Sequence, residues 1–519
     1  MLFNSYIFIF IFFPAVLIVF QILSLWAPHR FVIGWLVGSS LFFYGWWNPN
    51  YLLLILTSVI FNFTLGGFLA KKRIKVYLIW GMIVNIGSLI YFKYYGFLIS
   101  NVNFLSGLNI TPPDIVLPLA ISFFTFQQVA YLVDAYQGIT RQYGFVYYCL
   151  FVTFFPQLIA GPIVQYNKML PQFIDYKVVR LKVRNLSVGI SVFMVGLFKK
   201  TVFADHLAFY ANPVFTAADK GISLSFFDSW VGAVAYTLQL YFDFSGYSDM
   251  AIGLSQAFGI TLPINFYSPY KASSIIEFWR RWHITLSDFL KDRIYIPLGG
   301  NRRGLVMQHV NILITMLIGG IWHGSGWTFL LWGGVHGLFL SINHLWRYIF
   351  VARFGNIVAG SRLYYRGSQW ITFTLVIVAW VLFRAQTITG IKSMYAGMLG
   401  LNGISLPVGA ESCLSFIKGI NPGLGISFSG MFRFICTPHE AMVLIFIALI
   451  VVWFCPNSIE LFKTHPLALD QDQFLSSQEF CIQRIAWQPT VIYSLVLSFV
   501  AAVAIMFIQQ ESDFLYFQF

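Results

Sequence analysis

Three clusters of polar side chains lie inside stretches that are otherwise apolar, where polar groups are costly and often functional. The first is a glycine-rich run at residues 319–328 that contains His323, and His336 follows thirteen residues later. A neutral imidazole suits proton abstraction near neutral pH, because its unperturbed pKa is about 6.5. The alternative is a structural histidine held by hydrogen bonds, and the residues alone leave both interpretations open. On one straight helix the two rings would point about 220° apart, so at most one lines a given cavity unless the helix breaks.

The second cluster places two carboxylates, Asp243 and Asp249, within an aromatic run at residues 241–249. Their spacing leaves the side chains about 120° apart on a regular helix. They therefore form no tight pair for acid–base work unless Gly246 breaks the helix. Two interpretations stay open: each carboxylate accepts hydrogen bonds and holds helices together, or one of them orients a catalytic histidine.

The third cluster, at residues 265–304, carries seven Lys or Arg and three acidic residues, interleaved with Trp, Phe and Tyr. We expect an amphipathic helix at the cytoplasmic membrane interface. Its apolar stripe would consist of Ile276, Trp279, Trp282, Phe289 and Leu290. One interpretation is anchoring to lipid headgroups. The other is the mouth of a site for a phosphate-rich donor, because the guanidinium groups of Arg280 and Arg281 suit bidentate contacts with phosphate oxygens.

The composition indicates what kind of scaffold positions these clusters. Of the 519 residues, 58% are hydrophobic and only 10% are charged, against about 25% charged in typical soluble domains. These charges are too few to cover a soluble particle of this size, so we predict an all-α polytopic membrane protein. The composition excludes a secreted enzyme, a cytosolic enzyme and a nucleic-acid-binding protein. The net charge of +13 indicates Lys and Arg in cytoplasmic loops and near anionic membrane lipid.

Apolar stretches follow one another along the chain, several of them near the ~20 residues that cross a bilayer. We predict helical segments near residues 6–26, 31–47, 51–70, 76–92, 116–133, 145–164, 186–198, 230–258, 310–340, 370–383, 441–454 and 491–508. The stretch at residues 154–162 holds two prolines and a glycine, so we expect a re-entrant or kinked segment there. Four positive charges, at Lys71, Lys72, Arg73 and Lys75, follow the third span. Such charges stay in the cytoplasm, and counting back three spans places the N-terminus on the outer side of the membrane.

Other chemistries have no signature in the chain. The five cysteines show no CxxC or Cys–His metal spacing, so we expect neither a disulfide nor a metal site. No serine-nucleophile, zinc-hydrolase, P-loop or Rossmann fingerprint occurs in a credible context. This argues against a serine hydrolase and against a nucleotide-driven pump.

Blocks within and around these clusters resemble the membrane-bound O-acyltransferase (MBOAT) family. The matching blocks are residues 117–127, 155–162, 241–250, 278–287, 295–301 and 320–324, with a weaker match at 380–385. Their order and length are specific for the family and much less specific for a substrate. Within the family, the resemblance is to the alginate O-acetylation branch first and to teichoic acid D-alanylation more distantly.

The resemblance implies a ring of tilted transmembrane helices with re-entrant and interfacial helices around a central tunnel. There a cytoplasmic path for an acyl donor meets an outer funnel for the acceptor. The single integral membrane domain would comprise N-terminal helices, a catalytic core, and C-terminal helices with loops, at residues 1–110, 111–340 and 341–519. The resemblance makes His323 the active-site histidine and His283 the second family histidine, nearer the cytoplasm. His29 matches a family histidine only weakly, and His336 matches none.

The expected reaction is transfer of an acetyl group from a cytosolic thioester, acetyl-CoA, to a hydroxyl of an exported polysaccharide or of a periplasmic relay acyltransferase. His323 would act as general base, and His283 would position the donor or assist proton movement; no tightly bound cofactor is expected. The expected substrate-binding residues are Trp322, Asp243, Asp249, Arg280, Arg281 and Asn301. Two alternatives stay open: D-alanyl transfer from a carrier-protein thioester, and a transporter or export scaffold for an acyl group or a glycan.

Overall fold

Helices make up nearly all the regular structure of the protein. The computed structural model describes residues 1–113, 115–140, 144–159, 161–351, 353, 355, 361–407, 426–428, 430–475, 486–508 and 515. Within these ranges the β contacts are two isolated bridges, Pro263 with Leu469 and Ser405 with Ser427. The prediction of an all-α fold is confirmed.

The helices are numbered in chain order. They are α1 (Phe8–Trp26), α2 (His29–Gly45), α3 (Asn50–Lys72), α4 (Lys75–Ser106), α5 (Ile121–Gln137), α6 (Phe145–Thr153), α7 (Phe155–Leu158), α8 (Tyr166–Ile174), α9 (Val183–Asp219), α10 (Phe226–Ala257), α11 (Ile275–Trp279), α12 (Ile284–Leu290), α13 (Leu305–His323), α14 (Trp327–Trp346), α15 (Arg362–Arg384), α16 (Ile388–Met398), α17 (Pro438–Phe454), α18 (Ser458–Leu461), α19 (Asp472–Leu475) and α20 (Val491–Met506).

Six helices of the described chain, α1, α3, α4, α9, α13 and α15, are long and apolar enough to cross a membrane. The prediction of a multi-pass membrane protein is therefore confirmed. Helices α4 and α9 run well past the stretches predicted at residues 76–92 and 186–198. Hydropathy falls at Lys93 and Lys199, but both lysines find partners inside the protein, so the helices continue through π-helical turns at these points.

Helix α10 is buried along almost all of its 32 residues. It begins at Ser225, whose hydroxyl accepts a hydrogen bond from the Asp228 amide at 3.1 Å and so satisfies one free N–H of the first turn. Glycine lets α10 pack directly on α9, because a Cβ at Gly246 would collide with the Gly196 carbonyl oxygen. Small residues at such contacts are typical of helix packing in membranes.

The apolar stretch predicted at residues 310–340 is a pair of helices, α13 and α14, because the chain breaks at residues 324–326. A Cβ at Gly320 would collide with the Phe329 carbonyl oxygen, so the two helices need glycine at this position to approach so closely. The break leaves the end of α13, with His323, inside the protein.

The stretch at residues 154–162 also breaks, as predicted. Helix α6 ends before Phe154, which leaves the helical conformation with φ −49° and ψ 107°, and α7 restarts directly afterwards. The Phe155 amide donates to the Ser40 hydroxyl of α2 at 3.1 Å. A side chain from a neighbouring helix thus satisfies the backbone group at this break, as the membrane interior requires.

The prediction of a single amphipathic helix across residues 276–290 is wrong. The segment forms two short helices, α11 and α12, separated by His283 in the left-handed backbone conformation (φ 43°, ψ 53°). This conformation interrupts the helical hydrogen bonds. The predicted apolar stripe points into the protein, where Trp279 is 7% and Trp282 is 3% exposed. The apolar stripe of the segment therefore packs into the core of the protein, while Arg280 is exposed.

Candidate active site around His323

His323 is the last residue of α13, and 6% of the residue is exposed. Its imidazole lies edge-on against three rings, with the ring centroids of Trp322, Trp332 and Phe383 at 4.9, 5.1 and 5.2 Å. These rings belong to α13, α14 and α15, so three helices fix the imidazole. A fixed orientation is what a catalytic proton acceptor requires.

Two side chains of α4 hold the end of α13. The Lys93 ammonium donates to the carbonyl oxygens of Trp322 at 2.7 Å and His323 at 3.0 Å. The Tyr94 hydroxyl donates to the Ile321 carbonyl oxygen at 2.6 Å. Carbonyl oxygens in the last turn of a helix have no partner within the helix. These three hydrogen bonds therefore satisfy the turn that carries His323.

A pocket reaches His323, with an empty volume of about 610 Å³ that includes space open to solvent. Its walls include Lys93, Ser122 and His323, and Trp47 lies at its rim. Trp47 precedes the first residue of α3, whereas the positive run at residues 71–75 begins in the last turn of that helix. The predicted cytoplasmic position of that run would put this pocket on the outer side of the membrane, and on that basis we call it the outer pocket.

Two further pockets adjoin each other, and we call them the inner pockets. They share four lining residues, Ile163, Val164, Gln165 and Thr285. Their empty volumes are about 590 and 340 Å³. Ala130 lines the smaller inner pocket, whereas Ile121 lines the outer pocket. Nine residues of helix separate these two side chains, or about 14 Å.

A stack of three rings separates the outer pocket from the smaller inner pocket. The Phe126 ring stacks on Phe289 at 4.3 Å and on Trp322 at 5.1 Å between centroids. Phe289 lines the smaller inner pocket, and Trp322 lines the outer pocket. The stack is thus a thin wall that both pockets reach, and we call it the aromatic wall.

His283 is fully buried and lies with its ring centroid 6.4 Å from that of His323. Its Nδ1 lies 3.0 Å from the Asn265 side-chain oxygen, which also accepts a hydrogen bond from the Thr285 hydroxyl at 2.9 Å. Thr285 lines both inner pockets. His283 therefore connects His323 with the wall of the inner pockets.

The carboxylates predicted to bind substrate contact lysines of α9. Asp243 lies 2.7 Å from the Lys200 ammonium, and Asp249 lies 2.6 Å from the Lys199 ammonium. Helix α10 does not break at the intervening glycine. The hydrogen bonds and ion pairs described for these two carboxylates join α10 to α9, to Ser458 and to the amide of Leu515, and none of them reaches a histidine.

The basic residues predicted to bind the donor lie towards the surface. Arg280 is exposed, and Arg281 forms an ion pair with Glu277 at 2.6 Å. The Arg281 guanidinium also lies over the Tyr267 ring, 5.7 Å from its centroid. Asn301 is exposed in a turn. The described inner pockets do not include these three predicted residues, so their contact with a donor stays a prediction.

The break between α13 and α14 brings His336 to the same aromatic cluster as His323. The Trp332 ring centroid lies 5.1 Å from that of His323 and 4.9 Å from that of His336. His336 accepts a hydrogen bond from the Trp279 indole at 3.3 Å. His336 contacts Trp332 but does not line the outer pocket. His29 has its Nε2 2.7 Å from the Phe173 carbonyl oxygen, at the start of α2.

Sequence reasoning missed Lys93 and Asn265. A lone lysine at the edge of a predicted apolar segment was the available signal for Lys93, because intramembrane charges are rare and usually functional. Asn265 gave no comparable signal within its aromatic surroundings. In the described part of the chain, no three His, Cys, Asp or Glu side chains form a group that could hold a metal. Cys149, Cys436 and Cys455 carry free thiols, and Cys413 and Cys481 lie outside the described residues.

These features define a class: a polytopic helical membrane protein with a buried imidazole beside a thin wall between two pockets, as a membrane-embedded transferase requires. The chain belongs to the MBOAT, membrane-bound O-acyltransferase, family, whose model matches residues 41–382. The resemblance stated from the sequence is confirmed, and the protein is an O-acyltransferase.

Relatives named for three different acceptors are similar to this chain. The peptidoglycan O-acetyltransferase of Helicobacter pylori is 38% identical over 550 aligned residues, covering 100% of this chain and 98% of the relative. The probable alginate O-acetylase AlgI of Azotobacter vinelandii is 37% identical over 409 residues, 77% of this chain and 78% of the relative. The teichoic acid D-alanyltransferase of Streptococcus thermophilus is 30% identical over 239 residues, 44% of this chain and 57% of the relative.

Proposed function

We propose that the protein transfers an acetyl group from cytosolic acetyl-CoA to a hydroxyl on the periplasmic side of a bacterial inner membrane, with its own N-terminus in the periplasm. Support comes from relatives that are named for O-acetyl transfer to peptidoglycan and to alginate. The single observation that carries the proposal is the position of His323. It lines the outer pocket beside the aromatic wall, which the smaller inner pocket reaches from the other side.

His323 acts as the general base in this proposal. Its imidazole takes the proton of the acceptor hydroxyl while the hydroxyl oxygen attacks the thioester carbonyl carbon. A C–O bond forms and the C–S bond breaks. The leaving thiolate of CoA then receives the proton from the imidazolium, which restores the neutral base. Donor and acceptor react directly, without an acyl-enzyme.

The donor approaches through the inner pockets. Its thioester must pass the aromatic wall to reach His323, so at least one of the three stacked rings moves when acetyl-CoA binds. His283, held by Asn265, positions the thioester end. Arg280, Arg281 and Asn301 are proposed contacts for the phosphates, which stay outside the membrane.

The acceptor is a hydroxyl of an exported polysaccharide or the serine of a periplasmic relay acyltransferase, and it approaches through the outer pocket. Both are alcohols, so the same base serves either of them. The full-length similarity to the peptidoglycan O-acetyltransferase and the similarity to the alginate O-acetylase agree on a glycan as the final acceptor. The reaction at His323 is the same whichever glycan is used.

The test is a transfer assay with purified protein in proteoliposomes. Radiolabelled acetyl-CoA is supplied with soluble peptidoglycan fragments or with alginate oligosaccharides, and the label on the glycan is counted. We expect transfer by the wild-type protein to at least one glycan, or to a co-reconstituted periplasmic partner. Absence of any covalent transfer, with movement of acetyl groups or glycan across the bilayer, would instead identify a transporter.

D-alanyl transfer is the second candidate function, and the similarity to the teichoic acid D-alanyltransferase favours it. That relative aligns with less than half of this chain, so the observation carries less weight. A carrier protein loaded with D-alanine, tested in the same proteoliposomes, separates the two donors. Transfer from the loaded carrier and none from acetyl-CoA would replace the proposed donor.

A further inference from the structure

Lys93 is a cation on a membrane-spanning helix, and its ammonium has no carboxylate within ion-pair distance among the described residues. A charge in this position is expensive unless something compensates for it. Lys93 lines the outer pocket together with His323. A neutral residue at this position would avoid the cost of burying a charge, so the charge of Lys93 calls for a functional explanation.

The hydrogen bonds of the ammonium leave one of its protons weakly engaged. Two protons are donated to the Trp322 and His323 carbonyl oxygens at 2.7 and 3.0 Å. The third partner is the Ser122 hydroxyl at 3.4 Å, which is long for a hydrogen bond from nitrogen. Ser122 also lines the outer pocket. The weakly engaged proton thus lies on the side of the outer pocket, where the acceptor and the thioester would meet.

The end of α13 explains how the charge is kept without a counter-ion. Carbonyl oxygens at the C-terminus of a helix carry the negative end of its dipole and favour a cation there. Lys93 sits on that end, and its two short hydrogen bonds fix the ammonium relative to His323. A fixed donor beside a base is the arrangement that stabilises charge developing on a carbonyl oxygen.

We propose that the Lys93 ammonium is the oxyanion donor of the acyl-transfer reaction. The inference rests on the proposed function. When the hydroxyl oxygen bonds to the thioester carbonyl carbon, the C=O π electrons move onto the carbonyl oxygen. That oxygen accepts a hydrogen bond from the weakly engaged Lys93 proton, which stays on nitrogen throughout. When the C–S bond breaks, the electrons return to form the C=O bond of the ester.

A role limited to capping α13 is the competing explanation, and Tyr94 supplies its control. The Tyr94 hydroxyl caps the neighbouring Ile321 carbonyl at 2.6 Å but does not line the outer pocket. Tyr94→Phe removes a helix-end hydrogen bond without changing any charge at the site. If helix capping were the whole function of Lys93, the effects of Tyr94→Phe and Lys93→Met would be similar.

The experiment measures kcat and KM for acetyl-CoA in the proteoliposome assay for the wild type, Lys93→Met, Lys93→Gln and Tyr94→Phe. We expect kcat to fall roughly 100-fold or more in Lys93→Met and Lys93→Gln, as for loss of an oxyanion donor. KM should change by less than about twofold, because the lost interaction is made in the transition state. Tyr94→Phe should keep kcat within about threefold, because it loses only one neutral hydrogen bond. Gln carries two N–H donors without the charge, on a side chain one bond shorter, so a loss of kcat in Lys93→Gln that exceeds the loss in Tyr94→Phe reports on the ammonium.

Three outcomes would overturn the proposal: a Lys93→Gln protein with wild-type kcat, an equal loss in Tyr94→Phe and Lys93→Met, or a loss confined to KM. Thermal unfolding in detergent is measured for every variant. If Lys93→Met does not fold, Lys93→Gln alone decides between charge and cap. A wild-type protein without transfer activity would defeat the proposed function itself, whereas an active wild type with unaffected Lys93 variants defeats only this inference.

Discussion

Two regions of the protein bury ionisable groups, and the partners of these groups differ between the two regions. In the first, which we call the lysine–aspartate cluster, two ion pairs join α9 to α10, Lys199 with Asp249 and Lys200 with Asp243, and a third pairs Lys200 with Asp205 within α9. The Lys200 ammonium lies 2.9 Å from one carboxylate and 2.7 Å from another. In the second, the site at His323, the imidazoles face aromatic rings and the neighbouring lysine bonds to neutral oxygens.

The described contacts of the first region join helices, whereas groups of the second line a pocket, and in the proposed function the second region carries the chemistry. The contacts of the lysine–aspartate cluster hold helices together, with two lysines against three carboxylates. Substrate binding by Asp243 and Asp249 stays a prediction. The π-helical segment Lys199–Ala204 lets consecutive lysines reach Asp249 and Asp243, which lie about 9 Å apart along α10. At His323 the polar groups line a pocket instead. A buried polar residue is thus best interpreted through its partners.

The largest effect is expected from His323→Ala. Loss of the general base should lower acyl transfer by roughly 1,000-fold, while expression and membrane insertion stay intact. His336→Ala is the matched control, because His336 contacts the same Trp332 ring but does not line the outer pocket. Its activity should stay within about tenfold of the wild type, the range expected for a group outside the reacting atoms. Transfer assays on the purified variants test this prediction. Full activity of His323→Ala would exclude His323 from the mechanism.

The second prediction concerns stability. Lys200→Met leaves two buried carboxylates without their cation and should destabilise the protein by about 3–5 kcal/mol. Adding Asp243→Asn removes one of the stranded charges, so the double variant should be more stable than the single one. Lys291→Met is the control, since Lys291 forms an exposed pair with Asp288 and should change stability by less than about 1 kcal/mol.

Unfolding of these variants in detergent, followed by circular dichroism, measures the difference. The specific activity of the folded fraction should stay near that of the wild type, because the lysine–aspartate cluster makes no described contact with the histidines. If Lys200→Met instead keeps its stability and loses its activity, the division between the two regions does not hold.

The smallest effect is expected from Arg281→Gln. Its ion pair with Glu277 is partly exposed, with 25% and 28% of the two side chains accessible, so stability should change by less than about 1 kcal/mol. If the guanidinium binds a donor phosphate, KM for acetyl-CoA should rise about threefold, consistent with one exposed charge contact. Acetyl-pantetheine, which lacks the nucleotide phosphates, is the control donor. An equal change with both donors would exclude phosphate binding by Arg281.

Much of the fold could be predicted from the sequence, because composition and hydropathy act locally. The scarcity of charge required a membrane protein, and the apolar stretches indicated most of the helices. The predictions failed where a helix was continued or interrupted by contacts with other helices. Lys93 lies within a continuous α4 because α13 offers it two carbonyls. The helix expected across residues 276–290 is interrupted at His283, whose left-handed backbone no periodicity indicates.

The candidate site shows the same division. Ordered motifs around His283 and His323 identified the two histidines, and the family match agrees with that resemblance. The carboxylates Asp243 and Asp249 were predicted as substrate contacts from their unusual position in an apolar run. Their lysine partners lie fifty or so residues earlier in the chain, and spacing within one helix does not indicate contacts with another.

The sequence by itself determined the membrane environment, the helical class and the family, because these follow from residue types and short-range order. It also predicted which imidazoles take part in the chemistry. Only the tertiary structure decided which polar groups are neutralised by each other and which line a pocket. That decision depends on contacts such as the one from Lys93 to the end of α13, which joins residues 229 positions apart. Such contacts form when whole helices pack, and the local pattern of either segment does not specify them.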